Sequence, residues 1–246
     1  METFWQSIAL WWQTIALWWQ SLCDQFTQCF IEDNRWEYIT DGLIVTLEVT
    51  FFAVLIGIVL GFLLAIIRAA HEKTGKLKIL NAIAHIYVTV IRGIPTTVQV
   101  MLAYFVIFVN IKDPIPVAIL AFGVNSSAYV AEIMRGGILA VDAGQMEAGR
   151  SLGLTYTQTM KSIILPQVIK NVLPALGNEF IVLMKETSVS AFIGLNELTR
   201  GGDIIRGITY TDMLPLLAVA LIYLVLVMIF SRGVSILERR LRASDH

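Results

Sequence analysis

Asn178, Glu179, Lys185 and Glu186 stand inside an otherwise apolar run, Val168 to Phe192. At 100° per residue these four fall within roughly 120° of helical arc. Phe180, Ile181, Met184, Leu173 and Leu176 take the other side. Charged groups inside such a run either line a wet path or pair with one another. The first reading suits a polar solute: the two carboxylates would meet an ammonium, while Lys185 and Asn178 would meet a carboxylate. The second has Lys185 neutralise Glu179 or Glu186 and lock helices together. Two acids against one lysine lean towards a neutral polar or cationic solute. Asn125, Ser126 and Ser127 in a third apolar run, and Gln99 in a second, could also hydrogen-bond a solute, but residues of these types equally serve helix packing. Glu132 and Arg135, three apart, read as a structural ion pair along one helix.

Several chemistries are excluded. Gly202-Asp203-Ile204-Ile205-Arg206-Gly207 has the opening spacing of a phosphate loop, but Ile208 stands where a lysine is needed. The chain is therefore not expected to hydrolyse ATP. His71, His85 and His246 are scattered, so no metal site is expected. No nucleophile and base pair stands out, and no catalytic residue or cofactor is assigned to this chain.

The elements that carry these residues belong in a bilayer. The chain has 246 residues, 57% of them hydrophobic and only 15% charged, with mean hydropathy +0.72. A net charge of −1 gives no reason to expect nucleic acid. A hydrocarbon core of about 30 Å needs roughly 20 apolar residues as helix. Five windows meet or approach this: Leu43–Ile67, Ile94–Val109 with apolar turns from Leu77, Ile115–Leu139, Val168–Phe192 and Met213–Phe230. The expected fold is thus all-α and integral to the membrane, with about five spans. With the N-terminus outside, 13 Lys and Arg fall on the cytoplasmic side against four outside, Lys185 lying within a span. That bias places residues 140–167 and the C-terminus in the cytoplasm. Gly57 and Gly61 offer a small face for close helix approach.

The N-terminus carries a repeat. Trp5-Gln6-Ser7-Ile8-Ala9-Leu10-Trp11 returns as Trp12-Gln13-Thr14-Ile15-Ala16-Leu17-Trp18 and begins again at Trp19. A period of seven keeps Gln6, Gln13 and Gln20 near one helix face. Because Trp favours the headgroup level, the segment reads as an interfacial helix on the outer leaflet, with a sixth span as the alternative. Cys23 and Cys29 are read as free thiols in a region where a bridge would be permitted.

The stretch from Glu147 to Pro166 is the most specific feature. It reads Glu147-Ala148-Gly149, then Gly153, then Ile163-Ile164-Leu165-Pro166. Gly153 can take a positive φ and end one short helix, and Pro166 is expected to close the next after Tyr156–Leu165. Met160, Ile163 and Ile164 give that second helix one apolar face, with Lys161 off it. From spacing alone, an amphipathic loop resting on the membrane remains an alternative.

This spacing resembles the EAA loop, E-A-A-x3-G-x9-I-x-L-P, of ATP-binding-cassette (ABC) importer permeases, with Gly149 where the family has a second Ala. Further phrases resemble the polar amino acid subfamily: Thr46 to Thr50, Arg92 to Gln99, Ala128 to Ile138 and Lys185-Glu186-Thr187-Ser188. The resemblance runs from about Tyr38 to Arg240 and is similar to bacterial glutamine, arginine and histidine permeases. It implies a type I importer transmembrane domain over residues 38–240, after a Trp-rich segment 1–37 and before a cytoplasmic tail 241–246. It further implies a dimer of permease subunits, identical or paralogous, in the bacterial cytoplasmic membrane and its lipid. Two ABC ATPase subunits carrying ATP and magnesium would attach, and an extracytoplasmic solute-binding protein would deliver a polar amino acid. Glu147, Ala148, Gly149, Gly153, Ile163, Leu165 and Pro166 would form the coupling loop, Glu147 meeting a basic residue of the ATPase. Thr187 and Ser188 join Gln99, Asn125, Ser126, Asn178, Glu179, Lys185 and Glu186 along the solute path. A permease for another small solute such as methionine, or an ATPase-independent channel or ion-coupled transporter, stands as the alternative.

Overall fold

The computed structural model describes residues 2–142 and 144–243, so residues 244–246 of the expected tail and residue 143 of the loop expected in the cytoplasm lie outside the described residues. Those residues fold into helices without strands: α1 (Glu2–Phe26), α2 (Trp36–Thr74), α3 (Lys78–Gly93), α4 (Thr96–Leu102), α5 (Pro114–Leu139), α6 (Gly144–Ser151), α7 (Tyr156–Thr159), α8 (Leu165–Glu186), α9 (Leu198–Thr209) and α10 (Met213–Ala243). Three of them, α2, α5 and α10, are long and apolar enough to cross a membrane, and the pair α3 and α4 makes a fourth if counted as one broken span. The 22 residues of α8 would extend about 33 Å. Lys170, Glu179, Lys185 and Glu186 keep α8 from being a uniformly apolar helix.

Two expected outlines change. The run from Leu77 to Val109 is not one straight span: α3 and the helix from Thr96 to Ile107 meet at 105°. Pro95 has no N–H to continue the helix and forces Ile94 into an extended conformation, φ −101° and ψ 134°. The second change is at Pro166. It does not close a helix but lies in the first turn of α8, which follows directly on a π-helical stretch, Met160–Ile164. There the Leu165 N–H reaches back to the Met160 carbonyl. This wider turn lets the chain continue through a residue that has no N–H to donate.

The chain folds into two compact units, one made of residues up to Val45 with Asn196–Tyr223, the other of Thr46–Leu195 with Leu224 onward. In the first, Cys29, Ile39, Leu198, Ile205 and Val219 form the core. Cys29 is buried beside the Thr209 hydroxyl, Cys23 is exposed, and both are free thiols. Glu197, fully buried, caps α9: its carboxylate accepts from the N–H groups of Thr199 at 2.8 Å and Arg200 at 2.7 Å, and from the Tyr223 hydroxyl at 3.2 Å. Burial raises its pKa above the ordinary carboxylate value, and these donors oppose the rise.

In the second unit α5 is the central helix. It packs on α3, α4 and α8. It also touches α2 through the small face of Gly57 and Gly61: a Cβ added at Gly61 would stand 2.6 Å from Val130 Cβ, and one at Gly57 would stand 2.8 Å from Ser126. Glycine is required for this close approach. Phe180 of α8 and Phe230 of α10 meet with ring centroids 5.0 Å apart.

Candidate functional site

The stretch from α6 to the start of α8 is a helix–turn–helix with both ends of the turn tied. Gly153 takes φ +81°. The Leu154 N–H bonds back to Gly149 O at 3.1 Å and the Gly153 N–H to Arg150 O at 3.0 Å, the paired closure of a Schellman turn. The next helix opens on a capping box, in which Thr155 Oγ1 accepts from the Gln158 N–H and Gln158 Oε1 accepts from the Thr155 N–H at 2.9 Å. Beneath, Ile164, Val168 and Val172 pack with Met146, Met160 and Ile163. The apolar face expected at Met160, Ile163 and Ile164 is thus the inner face.

The residues expected to form the coupling loop divide by position. Glu147, Ala148, Gly153 and Pro166 are exposed, Leu165 is 41% exposed, and Ile163 is half-buried. Gly149 is buried and faces inward. A Cβ there would lie 2.5 Å from Thr159 Cγ2 and 2.8 Å from its Oγ1, so glycine lets α6 sit directly on the next helix. The departure from the family spacing is therefore a packing feature. Leu152 was not singled out from the sequence, yet it projects from the turn at 79% exposure, with Tyr156 nearby at 38%. Its only sequence signal is an apolar side chain just before the helix-ending glycine.

The polar residues of the apolar helices do not form one stripe. Glu179 is buried against α5, accepting from Ser126 Oγ at 2.8 Å. Glu186 is half-buried and accepts from Thr96 Oγ1 at 3.4 Å. Asn178 and Lys185 lie on the exposed edge of α8. The four span the expected arc, but packing divides it. Neither carboxylate forms an ion pair with Lys185 among the described residues, so the alternative in which Lys185 locks helices together finds no support there. Thr187 is buried with its hydroxyl on Met184 O, and Ser188 bonds Lys185 O. Both hydroxyls hold the 3-10 turn that follows α8.

Gln99 and Asn125 are occupied by the bend. The amide nitrogen of Gln99 donates to Ile91 O and Ile94 O, both at 2.7 Å, satisfying carbonyls freed where α3 stops. Its oxygen accepts from Asn125 Nδ2 at 3.2 Å. Asn125 is itself only 2% exposed. Ser127 shares a 2.7 Å hydrogen bond with the Tyr87 hydroxyl. The expected pair forms between Arg135 Nη2 and Glu132 at 2.9 Å, and Arg68, 64 residues away in sequence, joins it.

Residues 57–243 match the family described as binding-protein-dependent transport system inner membrane component. The chain belongs to this family. It is a permease with the all-α transmembrane domain of a type I ABC importer. The permease is 38% identical over 207 residues to a putative glutamine transport system permease protein, GlnP, of Rickettsia typhi, covering 83% of this chain and 93% of that one. It is 37% identical over 211 residues to the arginine transport system permease protein ArtQ of Bacillus subtilis, covering 85% and 94%. Among solved structures, an amino acid ABC transporter crystallised with histidines matches with TM-score 0.75 and 44% identity over 83% of this chain and 94% of the other. The MetNI methionine ABC transporter shares the fold at TM-score 0.71 and 20% identity, over 85% and 99%.

Proposed function

We propose that this permease imports a polar amino acid by alternating access, driven by ATP hydrolysis on separate ATPase subunits. The names and identities of the relatives above support the substrate class. The observation that carries the coupling is the tied turn: Glu147, Ala148 and Leu152 project from a helix pair whose inner face packs on Ile164, Val168 and Val172. An exposed acid beside an exposed leucine on a rigid mount suits docking into a cleft of another protein.

In this reading the permease acts as a dimer with two ATPase subunits, its N-terminus and α1 outside and its C-terminus in the cytoplasm. An extracytoplasmic solute-binding protein delivers the solute. The open edge of α8, with Asn178 and Lys185, faces the solute path, and Glu186 borders it. Glu179, Ser126, Gln99 and Asn125 shape that path from behind through their mutual hydrogen bonds. The ATPase acts on the permease because its docked geometry favours one arrangement of the helices over another. The Trp repeat of α1 lies flat in the outer interface.

Co-expression with a candidate cassette ATPase, reconstitution in lipid and measurement of ATPase activity test the proposal. Loaded binding protein should stimulate the wild-type complex. Glu147→Lys should reduce activity to that of the ATPase alone while the permease remains folded. Equal activity and equal co-purification in both would refute the role of the turn. Uptake that persists without any ATPase and follows membrane potential would favour the channel alternative.

A further inference from the structure

Three arginines from three helices converge on one carboxylate. Arg68 follows the apolar run of α2, Arg92 lies in the last turn of α3, and Arg135 stands four residues before the end of α5. Arg68 Nη1 donates to Glu132 Oε1, while Arg135 donates to Oε2 through Nε at 3.2 Å and Nη2 at 2.9 Å. Arg92 Nη1 stands 3.8 Å from that same Oε2, its guanidinium 5.4 Å from the centre of the Tyr129 ring. Beside this group is a cavity of about 560 Å³, lined by Arg68, His85, Thr89, Arg92, Tyr129 and Arg135 with Glu132.

The charges do not balance. Three guanidinium groups face Glu132, and Glu72 adds a second carboxylate near Arg135. At least one positive charge remains. The Arg92 guanidinium makes no hydrogen bond among the described residues, and the side chains of Arg92 and Arg135 are 45% and 41% exposed. An ion pair alone would need one arginine. The open guanidinium fork of Arg92, beside the N–H groups of Arg135 that Glu132 does not take, matches the oxygens of a phosphate group, which arginine binds in two-pronged fashion. Thr89, Tyr129 and His85 add hydroxyl and imidazole groups to the wall.

We propose that this cavity binds a phosphate-bearing anion. The arginines share the end of the helices where basic residues concentrate, which is the level of lipid headgroups on the cytoplasmic side. The phosphate can come from an anionic headgroup or from free inorganic phosphate. Either source would bridge α2, α3 and α5 by replacing the missing negative charge. The proposal is independent of which solute is carried.

The test uses the purified full-length permease in neutral detergent. Saturable binding of phosphatidylglycerol is followed by native mass spectrometry, and thermal unfolding is followed with inorganic phosphate against sodium chloride of equal ionic strength. Arg92→Gln removes one fork and breaks no hydrogen bond among the described residues. Lys112→Gln, an exposed residue outside the cavity, controls for charge. The expected result is about one phosphatidylglycerol retained per chain in wild type and Lys112→Gln, with at least tenfold weaker binding in Arg92→Gln and intermediate binding in Arg92→Lys. Lipid binding that millimolar phosphate leaves unchanged assigns the site to the headgroup; a phosphate-specific rise in unfolding temperature without lipid retention assigns it to the free anion. Absence of saturable binding of both probes by wild type overturns the proposal, as does equal binding by Arg92→Gln. Should Arg92→Gln fail to fold, Arg92→Lys carries the same comparison, and binding by it equal to wild type overturns the proposal.

Discussion

Restoring the family letter at position 149 should damage this chain. Gly149→Ala places a methyl 2.5 Å from Thr159 Cγ2 and 2.8 Å from Oγ1, well inside contact distance. Thr159 cannot readily yield: it is fully buried, its side chain is stiff at χ1, and Oγ1 donates to Thr155 O at 3.1 Å. Overpacking of this kind costs about 1–3 kcal/mol. Alanine recovers about 1 kcal/mol of helix propensity over glycine, so the net cost is about 0–2 kcal/mol. At its middle, about 1 kcal/mol, that is roughly a fivefold shift towards an undocked α6, and at its upper end roughly thirtyfold. The assay is limited proteolysis of the 147–166 turn in lipid nanodiscs, alongside ATPase stimulation in the reconstituted complex. Gly149→Ala should be cleaved faster and stimulated less. Thr159→Ala clears the space, so the double variant should lie closer to wild type than the two single effects summed, with a coupling of at least about 0.5 kcal/mol. Cleavage and stimulation unchanged in Gly149→Ala, or additive effects in the double variant, would refute the packing argument.

Gln99→Leu should lower the unfolding temperature in detergent, because Ile91 O and Asn125 each lose a part-buried partner at about 1–3 kcal/mol apiece before relaxation, while the exposed Ile94 O adds little; an unchanged midpoint would show that the bend is held by Pro95 alone. Because burial raises the Glu197 pKa in the folded state, its contribution to stability is full below the ordinary carboxylate pKa and falls as pH rises through the folded one. Thermal midpoints across that window should decline in wild type and show a flatter slope in Glu197→Gln, and parallel slopes would count against it. Five of the six tryptophans lie in α1, at positions 5, 11, 12, 18 and 19, so intrinsic fluorescence reports mainly on that helix. Lipids carrying bromine near the headgroup should quench it more than lipids brominated near the chain ends, and the reverse order would indicate a span.

Gly57 and Gly61 announced the α2–α5 contact because close packing is written in local spacing. Gly153 announced its turn because only φ > 0 closes a Schellman motif. The bend at Pro95 was hidden: hydropathy counts apolar residues without direction, and Gly93-Ile94-Pro95 changes direction without changing polarity. Gln99 and Asn125 look like solute ligands in sequence, because the carbonyls they satisfy exist only once the helix has broken. The Glu132–Arg135 pair was visible at three residues' separation, whereas Arg68 and Arg92 reach it only through tertiary folding. Gly149 is the instructive miss. Its wheel position on α6 was readable, but the buried Thr159 opposite it was not.

From Tyr156 to Glu186 the polypeptide is helical throughout, passing the π-helical stretch and Pro166 without a break. At about 1.5 Å per residue this makes a rod of roughly 46 Å. One end carries the tied turn and the other carries Lys185. If the turn takes the proposed docking role, a push there travels along this one jointed helix to the polar edge. Its weak joints are the widened turn at Met160–Ile164 and Pro174, which withholds a hydrogen bond inside α8, so the stroke delivered at the far end is set by how much these two points flex.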